Sequence, residues 1–161
     1  VFGKTKNAAA SLTRQLTRNG FKKYYEAMAE GTPPAASGTL TDYLIRDGRT
    51  NCSTVCSPDT LGSKKAVLEY QVLAQYETNG KCLSHLRIQL QTGRHHQIRV
   101  QFSHAGCPLF GDRKYNPDGI PVSRLYLCAC QLDFLHPSTG KLLHFEIQPF
   151  FYEEFDKSSP S

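Results

Sequence analysis

Four side chains within one short stretch have the types and spacing that could do chemistry. Arg94, His95 and His96 directly follow Thr92-Gly93, and Arg99 comes three residues after His96. Arginine stays charged at any physiological pH and binds anions, whereas imidazole can exchange protons near neutrality. This stretch therefore predicts a site for an anionic ligand. The alternative is an amphipathic helix whose charged face is only solvated, and the spacing alone favours neither interpretation.

Helical periodicity predicts how these side chains are presented. When residues 94–105 are read as a helix, His95 and Arg99 are four residues apart and project along one edge. The free backbone N–H groups at the helix N-terminus, just after Thr92-Gly93, would favour an anion. One face of this predicted helix is apolar and should pack on a sheet. That face carries Ile98, Phe102 and Ala105.

A predicted β-hairpin comes directly before this helix. Residues 66–76 and 82–91 alternate apolar and polar side chains, and Asn79-Gly80 between them is a strong signal for a tight turn. The second strand runs into Thr92-Gly93. We therefore expect the hairpin to hold the helix on a rigid base.

A further alternating strand, at residues 21–30, carries Tyr25 on the same face as Phe21, Ala27 and Ala29. The strand alone favours the interpretation of Tyr25 as a core aromatic residue with a satisfied hydroxyl group over a functional role. The other predicted elements are less directly related to the chemistry. The first is a helix from Lys6 to Arg18 that is capped by Thr5, with a buried face of Ala9, Leu12 and Leu16. The others are a short strand at 39–45, a surface excursion at 46–65, a hairpin of 125–135 with 141–148, and a tail from Pro149.

Length and composition indicate one domain. The chain has 161 residues, 39% of them hydrophobic, and a net charge of +5, which permits a polyanionic partner without requiring one. No apolar run approaches the roughly 18 residues that span a membrane. The six cysteines lack the spacing of zinc ligands, so we expect no metal and interpret them as reduced thiols of a cytoplasmic protein.

The stretch from Thr92 to Tyr115 resembles the C-terminal signature of the RluA-type RNA pseudouridine synthases. The similarity rests on Thr-Gly-Arg-His-His-Gln-Ile-Arg at 92–99, Gly-Cys-Pro-Leu-Phe-Gly-Asp at 106–112, and Tyr115. It implies an α+β fold with a mixed, largely antiparallel sheet and a few packed helices. It also implies an isomerase that converts specific uridines of rRNA or tRNA to pseudouridine without a cofactor, so that structured RNA is the partner.

The resemblance assigns catalytic roles to Tyr25 and Arg99. Lys23-Tyr24-Tyr25 matches the family's Lys-x-Tyr strand, which supplies the active-site tyrosine, and the preceding lysine gives Tyr24 the same spacing as an alternative. Arg99 would pair with the family's catalytic aspartate. Basic side chains of residues 46–65 could line an RNA groove. The residues that would bind the substrate or hold the backbone of the site are Arg94, His95, His96 and Gln97.

The family's nucleophilic aspartate lies in a His-Arg-Leu-Asp motif that this sequence does not contain. From the order of motifs it would precede Val1. We therefore expect an N-terminally truncated, inactive chain, with residues 1–155 as the C-terminal part of the catalytic domain and 156–161 as a tail. Asp112 belongs to the family's structural Gly-Asp loop and is not the expected nucleophile.

Truncation has two expected physical consequences. An unpaired, buried Arg99 and an exposed sheet edge would give either a marginal fold or self-association. The alternative function is a non-catalytic RNA-binding module derived from the same fold.

Overall fold

The computed structural model describes residues 1–18, 20–78 and 80–156, which form one antiparallel sheet with three helices. The spatial order of the strands is β3-β2-β4-β5-β1-β6-β7, and every neighbouring pair is antiparallel. The predicted α+β class is confirmed. The strands are β1 (Lys22–Glu30), β2 (Ser37–Asp47), β3 (Cys52–Cys56), β4 (Lys64–Thr78), β5 (Lys81–Leu90), β6 (Leu127–Leu135) and β7 (Leu142–Glu146); the helices are α1 (Lys6–Thr17), α2 (Gln97–His104) and α3 (Tyr152–Asp156). None of the helices formed by the described residues is long and apolar enough to cross a membrane.

The main core lies between the sheet and α2. Ala27 and Ala29 of β1 are fully buried and share a cluster with Ile98 and Phe102 of α2. The alternation predicted for residues 21–30 is confirmed, because Met28 packs in a different cluster. These small side chains let the helix pack directly on the centre of the sheet.

The hairpin predicted before α2 is confirmed as β4 and β5. Opposite residues in its register are Leu68 and Leu90, and Tyr70 and Ile88. All four contribute to the cluster beneath α2, although Leu90 is only partly buried. The predicted turn includes Asn79, which lies outside the described residues.

The surface excursion predicted at 46–65 is wrong, because this segment contains the end of β2, all of β3 and the start of β4. The polar residues that interrupt the strand pattern here form the turn of the β2–β3 hairpin. The Asp47 carboxylate accepts the Arg49 backbone N–H at 2.9 Å and the Thr50 hydroxyl at 3.0 Å, and Asn51 has a φ of +52°. Polar turn chemistry of this kind reverses a chain without ending its sheet.

The tail predicted from Pro149 is also wrong up to Asp156. Phe151 is only 1% exposed and packs with Met28, Leu83 and Tyr126, so it anchors α3 to the sheet. Burial of one aromatic side chain is worth about 1.5–3 kcal/mol, which is enough to hold so short a helix in place. The remainder of the predicted tail, residues 157–161, lies outside the described residues.

The first helix begins as predicted. The Thr5 hydroxyl accepts the backbone N–H of Ala8 at 3.2 Å, and the helix starts at Lys6. Of the three residues predicted to be buried on α1, only Leu12 is, because the helix touches the sheet along one narrow line. Leu12 packs on Phe21 and Phe134, whose rings stack with centroids 4.9 Å apart.

Gly111 gives a stability prediction. Its φ is +76°, and a Cβ built on it would lie 1.9 Å from the carbonyl oxygen of Arg124. We expect Gly111→Ala to lower the free energy of unfolding by at least about 2 kcal/mol in urea denaturation. Gly106→Ala is the matched control, because Gly106 also has positive φ but has open space around its Cβ position. It should cost only about 1 kcal/mol; equal losses would contradict the role of the contact.

Candidate functional site

Helix α2 begins three residues later than the sequence predicts. Its first residue is Gln97, and its N-cap, His96, has a φ of +53° in the left-handed region. The predicted alignment of His95 with Arg99 along one helix edge is therefore wrong, since His95 lies in the preceding turn. His96 is the imidazole beside the guanidinium, with its Nε2 3.4 Å from Nη1 of Arg99.

Gln97 is buried and holds the turn that leads into α2. Its Oε1 accepts the Thr92 hydroxyl at 2.8 Å and the Arg94 backbone N–H at 2.9 Å, while its Nε2 donates to the Val67 carbonyl at 3.0 Å. Of the two roles expected for Gln97, these contacts correspond to holding the backbone. The helix N-terminus is thus fastened to β4 by side-chain hydrogen bonds.

Arg99 and Asp112 form a bidentate ion pair. Nε and Nη2 of Arg99 donate to the two carboxylate oxygens of Asp112 at 2.7 and 2.6 Å. The Asp112 side chain is 0% exposed and that of Arg99 19% exposed. Asp112 also accepts the backbone N–H groups of Lys114 and Tyr115, each at 3.0 Å. The prediction of an unpaired Arg99 is therefore wrong, because the Gly-Asp loop supplies a carboxylate from within the chain.

The ion pair fixes the protonation state of both partners. Burial raises the pKa of Asp112, but the hydrogen bonds and charge of Arg99 and the two backbone N–H groups outweigh burial, so the net shift is downward. The hydrogen bond to Asp112 raises the pKa of Arg99. Stabilisation by the carboxylate is present above the pKa of an unfolded aspartate, about 3.9, and is lost as the pH falls through the lower folded value.

The two histidines join α2 to strand β3. The Ser53 hydroxyl lies 3.0 Å from Nδ1 of His95 and donates to the His95 carbonyl at 2.8 Å. The His95 and His96 rings stack with centroids 3.8 Å apart. Nδ1 of His96 lies 3.0 Å from the Tyr115 hydroxyl, which accepts the Ser53 backbone N–H at 2.8 Å. Strand β3 therefore supports the imidazoles directly.

The surroundings of both imidazoles favour the neutral form. Burial, followed by the positive charges of Arg99 and its neighbours, lowers the pKa of His96 to about 4. Burial and the charges of Arg46, Lys114 and Arg99 also lower the pKa of His95. Neutral imidazoles can accept or donate one hydrogen bond per ring nitrogen without adding charge to the site.

The His96 shift predicts a pH dependence. Between pH 6.5, the ordinary value, and about 4, the unfolded chain binds more protons than the folded one, so stability falls as the pH is lowered through this range. An NMR titration of the imidazole C–H resonances, assigned with His96→Asn, should show His96 half-protonated near pH 4. His144 is the internal control, because its hydrogen bonds to Asp133 and Glu146 raise its pKa. A pKa of His96 higher than the pKa of His144 would contradict the prediction.

A basic cleft opens beside the turn. It has a volume of about 490 Å³, and its ionisable lining residues are Arg46, Lys64, Arg94 and His95. Arg94 is exposed, and its Nε donates to the Lys65 carbonyl at 2.9 Å. Two of the four predicted binding residues, Arg94 and His95, thus line one cleft together with basic side chains of β2 and β4.

Tyr25 lies on the sheet face that α2 covers. It is partly buried and packs against the cluster that contains Ile98 and Phe102, and burial raises the pKa of its phenol. Within the described part of the chain, no hydrogen bond links Tyr25 to Arg99. Tyr24 is in a different environment, because its ring lies beneath the guanidinium of Arg87, 5.0 Å from the centroid.

Ser53 and Lys114 belong to this arrangement but were not predicted. Lys114 donates to the carbonyls of Thr50 and Asn51 at 3.3 and 3.1 Å and so fastens the β2–β3 turn to the Gly-Asp loop. Neither residue carries a local signal, since each partner is more than 40 positions away in sequence.

Comparison with known proteins identifies the family of the chain. The family model described as RNA pseudouridylate synthase matches residues 1–104. The chain belongs to this family. The family match includes Tyr25, the basic turn and Arg99, and it ends before Asp112 and Tyr115.

Individual relatives extend the pseudouridine synthase similarity over most of the chain. A protein named dual-specificity RNA pseudouridine synthase RluA, from Pasteurella multocida, is 32% identical over 94% of this chain and 68% of its own length. An uncharacterized RNA pseudouridine synthase from Chloroflexus aurantiacus is 35% identical over 90% of this chain and 44% of its own length. The chain thus spans about half the length of several curated relatives. The solved structure of human RNA pseudouridylate synthase domain containing 1 has a TM-score of 0.76 and 25% identity over 93% of this chain and 64% of that one.

Proposed function

We propose that this chain carries the uridine-binding and proton-transferring part of an RNA pseudouridine synthase. The reaction breaks the C1′–N1 bond of a uridine, turns the uracil, and joins C1′ to C5. A proton leaves C5 and N1 gains one, so no electrons are exchanged with another molecule. Because the target base must leave the RNA stack, contacts to the RNA have to offset a cost of a few kcal/mol.

The observation that carries this proposal is that Arg99 is held in place yet keeps donors for a second carboxylate. A guanidinium has five N–H donors, and Asp112 takes two of them. Among the described residues, the only hydrogen-bonding contact of Nη1 is the 3.4 Å contact with His96. An arginine fixed on one side by a buried carboxylate is preorganised to orient and keep ionised a catalytic carboxylate on the other.

Tyr25 and the basic cleft supply the other functions that the reaction needs. Tyr25 presents a ring and a phenol on the same sheet face as α2, where the ring can stack on a flipped uracil and the phenol can exchange a proton. Arg94, Arg46 and Lys64 line the cleft and suit RNA phosphates. His95 and His96 are neutral and suit hydrogen bonds to sugar or base edges.

Asp112 is poorly suited to be the nucleophile, because its side chain is fully buried and accepts four hydrogen bonds. We propose that the nucleophilic carboxylate comes from outside these 161 residues. The substrate in this proposal is structured ribosomal or transfer RNA in the cytoplasm. Self-association of the chain through an exposed sheet edge belongs to the same proposal, and β7 is one such edge.

The decisive experiment maps pseudouridines in ribosomal and transfer RNA from cells with and without the whole gene. We expect at least one position to lose its modification on deletion and to regain it when the gene is returned. Release of tritium from RNA labelled at uridine C5 provides the matching assay with purified protein. An unchanged pseudouridine map would contradict the proposed function.

A second candidate is a non-catalytic RNA-binding module, which is favoured by the full engagement of Asp112. Both candidates predict RNA binding that weakens steeply as salt rises, and a flat response would contradict both. They differ in tritium release by the protein that the whole gene encodes, which only the synthase produces.

A further inference from the structure

Lys23 is a partly buried lysine beside the candidate tyrosine. It lies two residues before Tyr25 on β1, so both side chains point to the sheet face that α2 covers. Lys23 and Tyr25 line the same cleft of about 310 Å³. The Lys23 ammonium reaches the turn before α2, since its Nζ is 3.8 Å from the position that a Cβ would take on Gly93.

The Lys23 ammonium has no partner in residues 1–18, 20–78 and 80–156, where it makes no hydrogen bond or ion pair. Three other cations near the turn are engaged: Arg99 binds Asp112, Arg94 binds the Lys65 carbonyl, and Lys114 binds two carbonyls. A charge that is partly withdrawn from water without an acceptor is unfavourable, and an anion reaching it would remove that cost.

The surroundings of Lys23 specify where an anion would bind. The turn that it reaches leads into Arg94, whose guanidinium is exposed, and its own strand leads to Tyr25. The rest of the cleft is largely apolar and includes Ala129, Leu132, Phe145 and Ile147. Its lining also contains Glu146, whose exposed carboxylate lies 3.5 Å from Nε2 of His144. A ligand there would place an anion at the turn and a flat apolar group beside the tyrosine ring, as one nucleotide does with its phosphate and base.

We propose that Lys23 binds a backbone phosphate of the RNA at or next to the target uridine and thereby positions the base over Tyr25. Lys23 acts as a positioning residue, because the ammonium touches the phosphate and not the reacting atoms. This inference rests on the proposed function and adds to it a specific phosphate contact outside the basic cleft.

The test measures RNA affinity against salt concentration for the wild-type chain, Lys23→Met, Lys23→Arg and Lys22→Met. Lys22→Met is the matched control, because Lys22 is the adjacent lysine, is exposed and points to the other face of β1. Loss of one phosphate contact lowers the slope of log affinity against log salt by about 0.7–0.9. The fall in affinity between 50 and 200 mM salt should therefore be about threefold smaller for Lys23→Met, while Lys23→Arg and Lys22→Met keep the wild-type slope.

Two further measurements separate positioning from structure. Lys23→Met should have a thermal midpoint no lower than that of the wild type, because it removes an unpartnered charge. In the tritium-release assay with the protein that the whole gene encodes, it should raise KM more than it lowers kcat. If the wild-type chain binds RNA and Lys23→Met keeps its slope, the Lys23 inference is overturned while the proposed function stands; this is also the result if a protein carboxylate is the partner of Lys23. If the wild-type chain does not bind RNA, the proposed function and this inference both fail.

Discussion

Replacing Arg99 by methionine is expected to lower the free energy of unfolding by about 3–5 kcal/mol. The substitution leaves the carboxylate of Asp112 buried with 0% side-chain exposure and without its cation. The two backbone N–H groups of Lys114 and Tyr115 still donate to it, but they do not neutralise its charge. Urea denaturation at pH 7, with unchanged m-values as the check on two-state unfolding, measures the loss.

Two variants make the Arg99 prediction specific. Arg94→Met removes an exposed arginine five residues away and should change stability by less than about 0.5 kcal/mol. The double variant Arg99→Met/Asp112→Asn removes both charges and keeps an amide oxygen that can accept the backbone N–H groups of Lys114 and Tyr115, so it should regain most of the lost stability. A loss below about 1 kcal/mol for Arg99→Met would show that the pair is solvated and not structural.

Under the proposed function, replacing Tyr25 by leucine should slow pseudouridine formation by at least about 100-fold, since it removes both the stacking ring and the phenol. Tyr25→Phe separates the two roles. If the phenol transfers a proton, this variant also loses about 10²–10⁴-fold in rate; if the ring only stacks, it keeps most of the activity. Tritium release by the protein that the whole gene encodes is the assay.

Tyr24→Phe is the control for this prediction. The Tyr24 ring lies beneath Arg87, and its hydroxyl is not required for that contact. We expect Tyr24→Phe to keep the wild-type rate. A large loss at position 24 with none at position 25 would instead identify Tyr24 as the tyrosine of the site.

Local signals explain which parts of the fold could be predicted. The Asn79-Gly80 dipeptide identified the β4–β5 hairpin, and alternation gave both faces of β1, because a turn and a strand face each depend on neighbouring residues. Strand β3 was missed for the opposite reason. It has only five residues between polar turns, and its pairing with β2 offers no pattern distinct from a charged loop.

The site was less predictable because its contacts are not local. Periodicity alone predicts that α2 begins at Arg94. In the structure, His96 adopts the left-handed region and ends the preceding turn, and Gln97 binds this turn to β4. The partner of Arg99 could not be read from spacing, since Asp112 is 13 residues away across a loop. The family resemblance predicts the nucleophilic aspartate, and not Asp112, as the partner of Arg99.

Ala27 and Ala29 determine how closely α2 packs on the sheet, and both are 0% exposed. A bulkier side chain at either position would move α2, and with it the Arg99 guanidinium, away from the sheet. The distance of that guanidinium from the sheet therefore depends on two methyl groups. Insertions in the surrounding turns would then leave the position of Arg99 relative to the sheet unchanged.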